Sequence, residues 1–452
     1  MAKSDILLEK IRTHVDLTSK EKVMLIVLLS IPSILAQMSS IIMFYIDAAM
    51  VGHLGAQASA SIGIIETTIW LLGGLTSAVS MGFSVQVAHC IGANDFVRAR
   101  AIMRQSLLCG IVVSFVLSII GLCIHKQLPI WLGAEKDIVY DASMYFMIFC
   151  LGIPFMQLEG IASSMLKCAG DMKSPSYMNI LACVLDVVFN YFFIFIMDLG
   201  VIGSALGTFC AFMVTAIIIL YIMLFKNKLL SLRNEHGSFK PTNENILQAA
   251  KIGVPIALQR TIMSMAQMVS TIIVAPLGTI AIAAHSLSIT AESVCYMPGY
   301  GVQDAATTLI GQSYGAGQKS LAKNLAYMSV IGGILTMTIM GILMFIFAPE
   351  MIGLMSPVEE IQKLGSQVLR IEAFAEPMFA ASIVVYGIFV GVGKTLYPVI
   401  INAFCMWGIR LTLAALLAKD FGLCGVWIAM AIELTVRGII HLILLLRGNW
   451  LK

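Results

Sequence analysis

Twelve times along the chain an apolar stretch of about 20–28 residues recurs between clusters of glycine, proline and charge, the length a helix needs to cross a bilayer. The stretches begin near Val23, Ser59, Ala101, Val139, Ser174, Val201, Ile246, Ile280, Ala322, Leu364, Leu396 and Leu423. Lipid offers backbone N–H and C=O groups no partners, so such stretches must satisfy themselves as helices. The expected fold class is an all-α polytopic membrane protein with twelve transmembrane helices. Composition agrees: 59% of the 452 residues are hydrophobic and 12% charged, against roughly a quarter charged in a soluble protein.

The net charge of +3 carries less information than where the bases fall. Nineteen Lys and Arg lie at the N-terminus, at Arg98/Arg100/Arg104, Lys167/Lys173, Lys226/Lys228/Arg233/Lys240, Lys319/Lys323, Lys394 and Arg447/Lys452, all on one side; the other side has four, Lys126, Lys136, Lys363 and Lys419. That bias predicts that both termini are cytoplasmic; the expected location is a bacterial inner (plasma) membrane, crossed many times. The first 22 residues mix both signs without a small-residue cleavage site, which predicts a cytosolic lead-in helix rather than a cleaved signal peptide. Ten cysteines are scattered with no C-x-x-C pair and none beside the seven histidines, so they read as small buried apolar groups rather than disulfides or a zinc site.

The chain repeats itself. At one offset of 223 residues Pro32 meets Pro255, Leu54-Gly55 meets Leu277-Gly278, Ala58 meets Ala281, Gly92-Ala93 meets Gly315-Ala316, Pro154 meets Pro377, Gly170 meets Gly393, Pro175 meets Pro398 and Asn179 meets Asn402; Gly203 meets Gly425 with one residue lost. The expected organisation is a cytosolic segment 1–22, an N-lobe 23–226, a cytosolic linker 227–245 and a C-lobe 246–452. Six spans per lobe is an even number, so the lobes are parallel repeats about an axis along the membrane normal. Such a pair suits alternating access around a cleft; a channel would show a charged ring or a TVGYG-like filter, and none is found.

Asp47, in "FYIDAAMVGHLG", stands in the first span, where a carboxylate costs about 2.5–3.5 kcal/mol on insertion scales. A lone acid near a helix end could snorkel to the interface. Asp47 has company: Asp186 and Asn190 lie four apart on one face of the fifth span and Thr208 lies early in the sixth. At 1.5 Å per residue, Asp47 falls roughly 8 Å below the outer end of its span, Asn190 and Thr208 roughly 10–12 Å and Asp186 about 18 Å. Two carboxylates together in a low-dielectric cavity require a proton or a cation, and a hard cation such as Na+ prefers this set of oxygens. The four are the expected cation-coupling site. The offset places Ser270, Ile409 and Leu413 opposite Asp47, Asp186 and Asn190, so coupling is expected in the first lobe alone.

On these residues the chain resembles the MATE (multidrug and toxic compound extrusion) family. "IPSILAQMSSIIMFYIDAAMVGHLG" is similar to the family's first helix, "GDMKSPSYMNILACVLDVVFNYFFIF" to its fifth, and "LGTIAIAAHSLSI" with "LIGQSYGAG" to its eighth; "YGIFVGVGKTLYP" and "WGIRLTLAALL" follow around the eleventh. The resemblance implies two six-helix lobes forming a V, and secondary active antiport of organic, often cationic or amphipathic, drug-like compounds against Na+ or H+ with no other cofactor. It implies a cation site at Asp47, Asp186, Asn190 and Thr208, and a conformational role for Pro32, which lacks the N–H that a helix interior uses. There are departures: the fifth-helix order is Asp186 then Asn190, where Asn then Asp is usual; Lys394 and Arg260 stand where acids are frequent, which argues against a second cation site in the C-lobe.

Arg260, Glu292, Asp304, Glu376 and Arg410 are the candidate polar residues of the C-lobe cleft, with Arg260 and Arg410 expected to pair with acids. His285 reads as hydrogen-bonded packing, and "GIFVG" (Gly387 to Gly391) as an intra-lobe helix contact. "GQSYG" matches a nucleophile-elbow pattern but has no preceding strand, and no H-E-x-x-H or G-x-x-x-x-G-K-[ST] motif occurs, so neither enzyme chemistry nor nucleotide-driven pumping is expected. The remaining alternative is a flippase for a lipid-linked sugar, whose cavity should be strongly basic. Expected partners are small molecules and membrane lipids, not nucleic acid, with the chain monomeric.

Overall fold

The computed structural model describes residues 3–233 and 237–451; linker positions 234–236, and Lys452 among the inner-side bases, lie outside the described residues. Among the described residues the secondary structure is helical throughout. A short amphipathic helix, α1 (Lys3–Arg12), buries Leu7, Leu8 and Ile11. The first span, α2 (Ser19–Gly52), opens on a reciprocal cap: Glu21 N–H donates to Thr18 Oγ1 at 3.3 Å and Thr18 N–H to Glu21 Oε2 at 2.9 Å. It continues through Pro32.

The next spans are α3 (Ala56–Gly92), α4 (Phe96–Ile124), α6 (Lys136–Cys168), α7 (Lys173–Tyr191) and α8 (Gly200–Tyr221), with the four-residue α5 (Leu128–Trp131) lying between α4 and α6. The second half begins with α9 (Asn243–Val274), α10 (Thr279–Gly315) and α11 (Lys319–Gly353). There α12 (Glu359–Ala373) and α13 (Glu376–Gly391), bent by 58° where they meet, are together long and apolar enough to cross a membrane. The final run, Leu396–Leu446, has 51 residues and comprises α14 (Leu396–Phe404), a π-helical stretch Cys405–Leu411 and α15 (Thr412–Leu446). A straight helix of that length is about 75 Å long, more than twice a bilayer's core. Gly422, at φ +57° and ψ −137°, breaks it into the eleventh and twelfth spans.

The repeat is written in the backbone as well as in the residues. Left-handed Gly55, Asn94 and Gly170 (φ +111°, +59°, +91°) recur at the same offset as Gly278, Gly317 and Gly393 (φ +98°, +72°, +78°), and Gly200 recurs one residue short as Gly422. These conformations favour glycine or asparagine, which is why small residues dominate the sequence matches.

Packing partitions the chain differently from the repeat. One compact unit is Met38–Ala257; the other joins Met1–Gln37 to Leu258–Lys452. The chain therefore changes unit inside α2, five residues after Pro32, and again inside α9, two residues after Pro255. The first unit's core includes Phe83, Val87, Ile102, Met103, Ile161 and Met165. That of the second includes Met344, Ile352, Leu369, Trp427 and Leu434. "GIFVG" serves the contact expected of it: Thr307 Oγ1 donates to the Gly387 carbonyl at 2.9 Å, and a methyl on Gly391 would lie 2.7 Å from the Thr307 carbonyl oxygen.

Candidate cation site and the second unit's cavity

In the Met38–Ala257 unit, α2, α7 and α8 bring the four expected residues together. Asn190 Nδ2 donates to Asp47 Oδ1 at 2.8 Å and to Asp186 Oδ2 at 3.0 Å, so one amide uses both hydrogens to clamp two carboxyl groups. Asp186 also lies electrostatically close to Asp47 and Thr208. Two carboxyl groups clamped by one amide in a low-dielectric site require a proton or a cation between them. Asp186 and Asn190 are fully buried, Asp47 and Thr208 partly so. Asp186 Oδ1 and Asn190 Oδ1 are buried without a hydrogen-bond partner among the described residues.

The packing of α8 explains how the helices come so close. Gly203 and Gly207, four apart in "GSALG", turn a small-residue face to α7, where a side chain at Gly207 would collide with Asn190 and one at Gly203 with the Phe193 backbone. That pattern was readable in the sequence and points at the same contact. Tyr145, from α6, lies electrostatically close to Asp47, Asp186 and Ser204. Nothing in the sequence singled it out, because its span carries no other polar residue in register with the acids. Pro32 stands on the same helix as Asp47, fifteen residues nearer its N-terminus.

The second unit holds a cavity of about 330 Å³ lined by Arg260, Glu292 and Arg410, together with Arg437 and tyrosines 296, 300 and 386. Asp304 and Glu376 are outside its lining. Arg410, on the π-helical stretch, pairs with Glu433 (3.4 Å), which also holds Arg437 (3.2 Å) one turn along its own helix. Arg260 differs from expectation: it makes no ion pair or hydrogen bond among the described residues and is exposed to the cavity. The reason is register: Glu433 is turned toward Arg410 and Arg437, and Arg260 sits on another helix, at the midpoint of the span Asn243–Leu277.

Glu372, Glu433 and Arg437 were not anticipated. The spacing of Glu433 and Arg437, four apart inside an apolar run, was the available signal. Glu372 and Glu376 flank the α12–α13 bend, fully buried, with all four oxygens lacking a hydrogen-bond partner among the described residues. His285 behaves as packing: Trp427 Nε1 donates to its Nδ1 at 3.1 Å, and the rings meet edge to face at 5.9 Å.

A duplicated helical membrane protein with acids clamped inside one half belongs among the integral membrane transporters. More particularly, the chain is a member of the MatE family of multidrug efflux transporters, whose model matches residues 32–192 and 255–416, once in each half. It is 27% identical over 412 residues to "Probable multidrug resistance protein NorM" of Thermotoga maritima, covering 90% of this chain and 88% of that one. It is 21% identical over 343 residues to "Multidrug export protein MepA" of Staphylococcus saprophyticus, covering 76% and 75%. A crystal structure of MATE in complex with MaL6 superimposes with a TM-score of 0.89 at 22% identity, covering 96% and 97% of the two chains. A MOP superfamily transporter from Pyrococcus furiosus, for which reverse polarity of the binding pocket suggests a different function, matches equally at 0.89, 22% and 96% of each chain. At such identities the structural likeness shows the fold.

Proposed function

We propose that this protein exports amphipathic organic compounds in exchange for Na+ or H+ entering through Asp47, Asp186, Asn190 and Thr208, as a monomer with both termini in the cytoplasm. The observation that carries this reading is the Asn190 amide clamping both carboxyl groups while Asp186 Oδ1 and Asn190 Oδ1 stay buried and unpartnered. Buried oxygens without donors are costly unless something arrives to meet them. A sodium ion would find carboxylate, amide and hydroxyl oxygens, the hard donors it prefers. A proton would remain as the bridge between Asp47 and Asp186. The multidrug names of the relatives support the choice of cargo.

Coupling follows from the path of α2. Asp47 reports the ion's presence at one end, and toward its N-terminus the same helix passes into the other compact unit at Gln37 and then reaches Pro32. Pro32 removes a helical hydrogen bond and clashes with the carbonyl four residues back, so the helix bends most easily there. An ion that shifts Asp47 thereby changes how the outer half of α2 joins its inner half.

The test is export of a fluorescent amphiphile from proteoliposomes under imposed Na+ and pH gradients, one at a time. One gradient should accelerate export, and Asp47→Asn and Asp186→Asn should each remove that acceleration. Export indifferent to both gradients, or variants that respond as the unaltered protein does, would overturn the reading.

A further inference from the structure

We infer that the second unit's cavity binds the anionic group, a carboxylate or its like, of an aromatic amphiphile, with Arg260 as its counter-ion. This rests on the export reading for what happens after binding, but the binding itself is argued from the cavity alone.

The lining carries three bases, Arg260, Arg410 and Arg437, and one acid, Glu292. Glu292 lies near Arg410, Arg410 pairs with Glu433 at 3.4 Å, and Glu433 pairs with Arg437 at 3.2 Å. Arg410 and Arg437 thus each have an acid beside them, whereas Arg260 has no ion pair among the described residues. Glu372, Glu376 and Glu433 are all outside the lining, and Glu372 too is electrostatically close to Arg410. A guanidinium presents its donors in a planar fork that matches a carboxylate. A permanent charge at the midpoint of a span, facing a cavity and lacking a protein counter-ion, marks a ligand's position. The counter-ion must come with the ligand.

The remaining lining sets the ligand's other end. Tyr296 stacks edge to face on Tyr300 at 5.9 Å and on Phe379 at 5.6 Å, giving an aromatic wall. Tyr386 lies electrostatically close to Arg260 and offers a hydroxyl beside it. Gln259 and Gln303 keep buried carbonyl oxygens without partners, so their amide groups can turn to meet a polar head. A volume of about 330 Å³ is that of a small drug-sized molecule. An organic cation would instead meet Arg260 as a like charge.

The experiment uses three ligands that share one fluorophore: dansylglycine (anionic), dansylglycinamide (neutral) and dansyl-ethylenediamine (cationic). Binding to the purified full-length protein is read by energy transfer from tryptophan, with no gradient present. Dansylglycine should bind at least tenfold more tightly than either partner. Arg260→Gln should bring the three affinities within about twofold, while Arg260→Lys should keep the order. Tyr386→Phe should weaken dansylglycine alone. Equal affinities in the unaltered protein, or tightest binding of the cation, overturn the inference, as does an Arg260→Gln protein that still prefers the anion. The two readings fail separately: selective binding without gradient-driven export retains this inference and removes the transport reading, whereas gradient-driven export with no preference for the anion does the reverse.

Discussion

Gly207→Ala asks whether the shape of the acidic cluster, and not merely its composition, sets the affinity for the coupling ion. The added methyl would lie 2.7 Å from the Asn190 backbone nitrogen and nearer still to Asn190 Oδ1, where real Cβ atoms essentially never approach within 3.0 Å. Either α7 retreats or the Asn190 amide swings away, and both movements break its 2.8 and 3.0 Å bonds to Asp47 and Asp186. Overpacking of this kind costs about 1–3 kcal/mol; one lost hydrogen bond to a charged group costs about 1.5–3 kcal/mol. Since about 1.4 kcal/mol is a factor of ten, the ion concentration for half-maximal export should rise about ten- to a hundredfold. The assay is the initial rate of export from proteoliposomes against graded Na+ at fixed pH, then against graded pH at fixed Na+. Gly73→Ala is the control, because a methyl there meets nothing within 4 Å. If Gly207→Ala kept the half-saturation of the unaltered protein, the geometry of Asn190 would be irrelevant to coupling and the argument from the clamp would fail.

Two predictions concern the second unit. Glu433→Gln strips the counter-charge from Arg410 and Arg437 together, and breaking a buried pair from one side costs about 3–5 kcal/mol; the yield of monodisperse protein in detergent should collapse, and Glu433→Met with Arg437→Met should recover part of it. Trp427→Phe removes the 3.1 Å bond to His285 and leaves a buried ring nitrogen unpaired, so stability should fall by about 1–3 kcal/mol, read as a lowered thermal midpoint; an unchanged midpoint would show that the bond contributes nothing.

Spans and repeat were legible because lipid enforces both: backbone groups without water must close into helices, and left-handed turns accept few residues besides glycine and asparagine. Asp47, Asp186 and Asn190 were legible for a related reason, that polar groups inside a membrane are expensive and therefore sparse. Which groups touch was harder. The acid that answers Arg410 comes from another span, and the register between those helices is fixed by packing that no local pattern records. Arg260 shows the same limit from the other side: a partner was expected from the number of nearby acids, and the folded arrangement spends Glu433 on Arg410 and Arg437 instead. The change of unit within α2 and α9 was hidden as well, because a continuous apolar helix looks the same whichever bundle its two ends join.

The duplicated halves have kept their backbone and exchanged their chemistry. Gly55 and Gly278 still turn alike, yet Asp47 is answered by Ser270, Asp186 by Ile409 and Asn190 by Leu413, while an unpaired base stands at Arg260. Placed in one cavity, these opposite charges would neutralise one another as a buried ion pair and leave nothing for either ligand. Held in separate compact units, each keeps its own counter-ion to find. The separation has an electrical consequence if the cargo is anionic. A cation moving inward and an anion moving outward carry current in the same direction, so a potential negative inside drives both, each by about 2.3 kcal/mol per charge per 100 mV. Exchange of an organic cation for one small cation would gain nothing from that potential. With an anionic cargo, a base in one half and acids in the other would let the membrane potential act on both ligands of the cycle.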